Sequence, residues 1–166
     1  DRPILFGPAN NLGAFLIKKT GRQMDLWPGA CMVHETFSSM KIIQLKAKHP
    51  GAQFIAHPEC EDHVLLLADF VGSTSKLLDY VQQDSGKQYI VGTETGILHT
   101  MKKYAPDKEL IPVPYEDRSA ACQGCNSCPH MKLNTTEKIY LALRDLKPQI
   151  NMPEELRLRA RLPLDR

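Results

Sequence analysis

The sequence of 166 residues has no apolar run approaching the roughly 20 residues that cross a bilayer, which excludes a membrane-spanning helix from its reading. Aromatic residues are scarce, at 7% with one Trp, so a platform for stacking nucleic-acid bases has little to be built from. An excess of one charge is lacking too. The 21 Lys and Arg residues stand against 19 Asp and Glu, a net charge of +2, which argues against nucleic acid or a membrane surface as the main partner. The amino end, DRPILFGPANN, has no charged-then-apolar layout of a signal peptide, and the expected location is cytoplasmic. It also lacks an initiator Met, which suggests a fragment or a processed chain. Short-period repeats, low-complexity tracts and long linkers are missing. Cysteine is present but odd in number: three of the five crowd into CQGCNSC, which favours metal or redox use over a disulfide framework.

What is present is an α/β rhythm of short apolar runs alternating with helical patterns. PILFG (3–7), DLWPGAC (25–31), QFIAH (53–57), KQYIVGT (87–93) and KELIPVP (108–114) read as strands. Helices are expected over 10–20, opened by an Asn cap, and over 37–48, 61–70, 95–105 and 136–147. A turn leads into another within 71–83, and a last one begins at PEE near the carboxyl end. Residues 36–114 then form a three-layer αβα unit around a small parallel sheet, because parallel strands need the crossover helices that the spacing supplies. Ligands of such sheets collect outside the carboxyl ends of the strands. Cys31, the tripeptide His57-Pro58-Glu59 and the turn Gly92-Thr93-Glu94 all follow predicted strands and are expected to face one crevice. The Arg-rich carboxyl end reads as a solvated or docking face.

Taken alone, Cys122, Cys125 and Cys128 followed by Pro129 leave three readings open: most of an iron-sulfur run, a structural zinc knot completed by Cys31 or His130, or a redox pair Cys122/Cys125 with only Cys128 on metal. Cys31 is a lone thiol after a Pro-Gly turn, and such thiols are more often small buried hydrophobes than ligands. His34 reads as a substrate contact or as a satisfied core histidine. His57 and Glu59 make an acid–base pair aimed by Pro58, against the plainer reading that Glu59 merely favours a following helix start. Gly72-Ser73-Thr74-Ser75 offers backbone N–H groups and hydroxyls for a phosphate or carboxylate, where an ordinary cap would need one hydroxyl. The turn Gly92–Gly96 is a weaker version, since Glu94 opposes direct phosphate binding. Cys60, His49, His63 and His99 are taken as structural.

Five blocks in order, WPGACMVHETF, AHPEC, ADFVGSTSKLLDY, GTETGILHTM and CNSCPHMKLNTTEKIYLALRDL, resemble the quinolinate synthase family over essentially the whole chain. The resemblance implies a transferase of de novo NAD biosynthesis that condenses iminoaspartate with dihydroxyacetone phosphate to quinolinate, losing phosphate and water. It implies three similar α/β units around a cavity, of which this chain holds about one and a half. Residues 1–35 are then the end of the middle unit, 36–120 the last unit, and 121–166 a cysteine loop with carboxyl-terminal helices. It further implies a 4Fe-4S cluster held by one cysteine from each third, Cys31 being the middle ligand and Cys128 the last, with one iron open as a Lewis acid. Glu59 and His57 become catalytic, and His57, Pro58, Glu59, Ser73, Thr74 and His34 substrate-binding, with Met131 near the cavity. Cys122 and Cys125 become a candidate redox pair. The first cluster cysteine, a substrate histidine and a Tyr-x-Asn motif have no counterpart here. The expectation is therefore an inactive chain until an amino-terminal portion or a second chain supplies the third cysteine. The competing expectation is a non-catalytic zinc or iron-sulfur module using Cys122, Cys125 and Cys128.

Overall fold

The computed structural model describes residues 2–114 and 126–165. The chain divides into two compact units, Asp1–Cys128 and Pro129–Arg166.

The first unit opens with two short parallel strands, β1 (Leu5–Phe6) and β2 (Asp25–Leu26), joined by helix α1 (Asn10–Thr20). The helix lies close on this pair, and glycine at position 13 allows the approach: a Cβ there would stand 2.3 Å from Leu26 Cδ2 and 2.9 Å from Phe6 Cδ1, which would have to shift. The expected Asn cap is not the cap. Ala9 precedes the helix, and the Asn10 N–H is turned to the Gly29 carbonyl at 2.7 Å, which ties α1 to the loop after β2.

The main sheet contains β3 (Gln53–Ala56), β4 (Phe70–Val71), β5 (Gln88–Gly92) and β6 (Glu109–Pro112), all parallel, in the order β4-β3-β5-β6. Alternation along the strands sends side chains to two separate cores. Phe54 and Ala56 of β3 and Ile90 of β5 pack with Phe37, Ile42 of α2 (Ser39–Lys48) and Val64 of α3 (Asp62–Leu65). Ile55, Tyr89 and Val91 pack on the other face with Leu77 and Val81 of α4 (Thr74–Gln83) and Met101 of α5 (Gly96–Tyr104). The unit is thus the expected three-layer α/β arrangement.

One element differs. The helix expected over 61–70 stops at Leu65, and Phe70–Val71 forms edge strand β4. Asp69 recruits it, donating its N–H to the Phe54 carbonyl at 2.7 Å and accepting the Phe54 N–H on its carboxylate at 2.7 Å. Strand pairing with β3 thereby outcompetes helix continuation.

The second unit holds helices α6 (Thr136–Asp145) and α7 (Glu154–Arg161). Thr135 caps α6 by accepting the Lys138 N–H at 3.2 Å, and α7 carries an Arg157–Glu154 ion pair along one side. The apolar residues Ile139, Leu143, Leu156 and Leu158 are exposed.

Candidate active site

Strand order fixes where a site can form. From β3 the chain moves outward to β4, then returns across β3 to β5 and continues to β6, so the order reverses between β3 and β5. The segment after β3 turns to the α2/α3 face and the segment after β5 to the α4/α5 face, which opens a crevice at the carboxyl ends of these two strands. The His57 N–H donates to the Gly92 carbonyl at 3.0 Å and closes the floor of that crevice.

Three groups meet there. Cys31 follows β2 on its Pro-Gly turn, His34 begins a short 3-10 segment three residues on, and Glu59 comes from the loop after β3. The Cys31 sulfur, a His34 ring nitrogen and a Glu59 carboxylate oxygen lie within 4.8 Å of one another, a set that could hold a metal ion. The buried His34 ring is held on both sides, with Nδ1 3.2 Å from Glu59 Oε2 and Nε2 3.2 Å from Thr93 Oγ1. It also stacks on His57, ring centroids 4.8 Å apart and 8° from parallel. Burial, reinforced by the adjacent His57 and opposed by Glu59, brings His34 down to about 4. His57 is lowered as well, by burial against the pull of Glu59. Both rings are therefore neutral near pH 7. A neutral His34 facing a carboxylate carries its proton on Nδ1 and accepts from the Thr93 hydroxyl on Nε2. His57 Nδ1 accepts the Glu59 N–H at 3.3 Å, which leaves its proton on Nε2.

The thiols sort themselves by environment. Cys31 and Cys128 are unpaired, half-buried and packed against the same core. Cys60 lies inside that core, directs its S–H to the Gly92 carbonyl at 3.5 Å and is pushed up to about 12 by burial, which makes it an inert core residue, as expected for a structural thiol. Glu59 does not serve the helix that follows it. The residue before α3 is Glu61, and the Glu59 side chain turns to His34 instead.

The family model described as quinolinate synthetase A protein matches residues 1–166. The chain belongs to the quinolinate synthetase A family. Among its relatives, the quinolinate synthase of Thermosynechococcus vestitus is 53% identical over 166 residues, covering 100% of this chain and 51% of that protein. That of Microcystis aeruginosa is 52% identical over 165 residues, covering 99% and 50%. That of Synechococcus sp. is 50% identical, covering 100% and 51%. The chain spans about half the length of these curated relatives.

For a quinolinate synthetase A chain, the residues named from sequence, Cys128 on its core apart, fall into three groups. Cys31, His34, His57, Pro58 and Glu59 converge at the switch point, Pro58 being buried between the two catalytic candidates. Ser73 and Thr74 stand beyond β4, at the same end of the sheet, since the Gly72 N–H donates to the Ala56 carbonyl at 3.1 Å. Ser73 is the α4 cap and accepts the Lys76 N–H at 3.4 Å, while Thr74 is exposed. Cys122 and Cys125 lie outside the described residues, and Met131 belongs to the second unit. Sequence reasoning missed Thr93 as the second partner of His34. The only available signal was its place directly after β5, beside the glycine-bounded turn. No helix among the described residues is long and apolar enough to cross a membrane.

Proposed function

We propose that this chain supplies the middle and last parts of a quinolinate synthase site, which condenses iminoaspartate with dihydroxyacetone phosphate to quinolinate with loss of phosphate and water. The observation that carries this reading is the meeting of Cys31, His34 and Glu59 within 4.8 Å at the switch point of a sheet whose family membership is plain. Because the chain spans half the length of its relatives, activity requires the remaining half, including a third cysteine from outside this sequence.

The donor set fits a 4Fe-4S cluster. Cys31 and Cys128 are both unpaired thiols that keep part of their surface open, whereas Cys60 is sealed off. Cys31 and Cys128 would hold the cluster, which when bound supplies a Lewis acid that eases loss of water.

The chain's own groups do the rest. Glu59 takes and returns protons in the tautomerisation and ring-closing steps, steadied by the His34 N–H at 3.2 Å, with Thr93 locking the tautomer from the far side. His57 is neutral and donates from Nε2 to an oxygen of an anionic substrate, which avoids a buried positive charge. Pro58 keeps His57 and Glu59 in fixed relation. Ser73 accepts one backbone N–H as a cap but keeps its own O–H proton. Its hydroxyl, that of Thr74 and the N–H groups opening α4 hold a substrate carboxylate or phosphate.

The test is quinolinate formation from the two substrates by this chain together with the remaining half, supplied by extension or in trans. Glu59→Gln is expected to lower kcat by about 10²–10⁴-fold, the usual worth of a general base. A Glu59→Gln enzyme that turns over at the unaltered rate would overturn the assignment.

A further inference from the structure

Beyond the acid–base residues, the turn after β5 does a second job. Its residues Thr93 to Gly96 touch both segments that carry the candidate cluster ligands. Thr93 reaches His34, three residues after Cys31. The Thr95 N–H donates to the Asn126 carbonyl at 2.9 Å, and the buried Asn126 side chain donates to the Val113 carbonyl at 2.5 Å. Between them stands Glu94. Its Oε2 accepts the Gly96 N–H at 2.6 Å, and its Oε1 accepts the Cys128 N–H at 3.3 Å.

We propose that Glu94 is a positioning residue for Cys128, a carboxylate clamp that fixes the backbone of this thiol to the amino end of α5 and so to the end of β5. The proposal rests on the reading of Cys128 as a cluster ligand. The chemistry calls for a carboxylate, since two N–H groups converge on one side chain and a carboxylate has two acceptor oxygens to meet them. Glutamate also opposes direct binding of an anionic substrate at this turn, which accounts for a glycine-bounded turn that is poor as a phosphate cradle. Glycine at position 96 leaves the carboxylate its room: a Cβ there would stand 2.6 Å from Glu94 Oε2 and displace it from its partners. Asn126 supplies a second tether two residues before the thiol, so the ligand is held by bonds from β5, α5 and the end of β6 together.

The test separates tethering from capping and from charge. In the 166-residue chain, reduced and free of iron, the rates at which iodoacetamide alkylates Cys31 and Cys128 are followed by peptide mass spectrometry. Glu94→Ala is expected to speed labelling of Cys128 roughly tenfold, the factor equivalent to ~1.4 kcal/mol, with Cys31 unchanged. Glu94→Gln has one acceptor oxygen for the two N–H groups and is expected to fall between the parent and Glu94→Ala. Ser38→Ala removes the cap of α2, where Ser38 accepts the Lys41 N–H, and is expected to leave Cys128 unaltered. Equal acceleration at both thiols, no acceleration in Glu94→Ala, or a Glu94→Gln rate matching that of Glu94→Ala would each overturn the clamp. The same variants, joined to the remaining half and loaded anaerobically with iron and sulfide, are then read by the electron paramagnetic resonance signal of the reduced cluster. A broadened or diminished signal is expected for Glu94→Ala and an intermediate one for Glu94→Gln; an unchanged signal in Glu94→Ala would contradict the proposal. Failure of the parent protein itself to take up a cluster would refute the proposed function, whereas a loaded parent with insensitive variants would refute only the clamp.

Discussion

His34 shows how a single residue acquires its role from partners that are distant in sequence. Both of its ring nitrogens are engaged, by Glu59 and Thr93, and its face is covered by His57. With both nitrogens engaged, the ring is fixed against the Glu59 carboxylate. At the other end of the sheet, Asp84 plays a purely structural part: its Oδ2 accepts from the Tyr89 hydroxyl at 2.6 Å, the Gly86 N–H at 2.7 Å and Gln53 Nε2 at 2.8 Å. The Tyr89 bond, followed by that from Gly86, holds the Asp84 carboxyl below its ordinary range. A carboxyl depressed on folding contributes stability that is present above its unfolded value and lost as pH falls through the folded one. Asp84→Asn should therefore unfold at lower urea than the parent at neutral pH, with the gap narrowing as pH falls below about 4. Denaturation midpoints across that range check this. A gap that stays constant would show that the ionised form of Asp84 contributes nothing.

At the scale of elements, β3 and β5 were legible because QFIA and QYIVG are continuous apolar runs bounded by polar residues, the pattern of strands buried on both faces. The three-layer arrangement followed from their spacing. Strand β4 was hidden within an apolar stretch that reads equally well as helix; a tertiary contact, Asp69 on Phe54, decides it. Likewise Ser38, Ser73 and Thr135 sit where local capping rules put them, while α1 departs from those rules because Asn10 is claimed by the Gly29 carbonyl. The His57-Pro58-Glu59, Cys31 and Gly92-Thr93-Glu94 segments all stood out as strand ends, but nothing local marks Thr93 as a partner of His34 or Glu94 as a partner of Cys128. Their importance comes from the reversal of strand order, which no single segment encodes. Gly92 is the pivot of this element set, since a Cβ there would lie 2.9 Å from Cε2 and 3.2 Å from Cζ of the buried Phe54 ring. Gly92→Ala is expected to cost about 1–3 kcal/mol through overpacking, read as a lower urea midpoint at unchanged slope. An unchanged midpoint would mean that β5 yields more readily than its burial implies.

For the molecule as a whole, the sequence pattern CQGCNSC leaves open that all three thiols serve one metal, whereas the fold packs Cys128 and the distant Cys31 against a common core. No spacing rule predicts that shared core, because it is made by segments distant in sequence. The chain spans about half the length of its relatives, and in the proposed function the site is therefore a composite, to which this chain brings His57, Glu59 and the thiols of Cys31 and Cys128. The most direct test is iron and sulfide content after anaerobic loading, with the remaining half present, of Cys31→Ser, Cys128→Ser, Cys122→Ser and Cys125→Ser. Loss of the cluster in Cys31→Ser and Cys128→Ser, with full loading in Cys122→Ser and Cys125→Ser, is the expected result. A cluster that survives Cys31→Ser and is lost in Cys122→Ser would contradict the account.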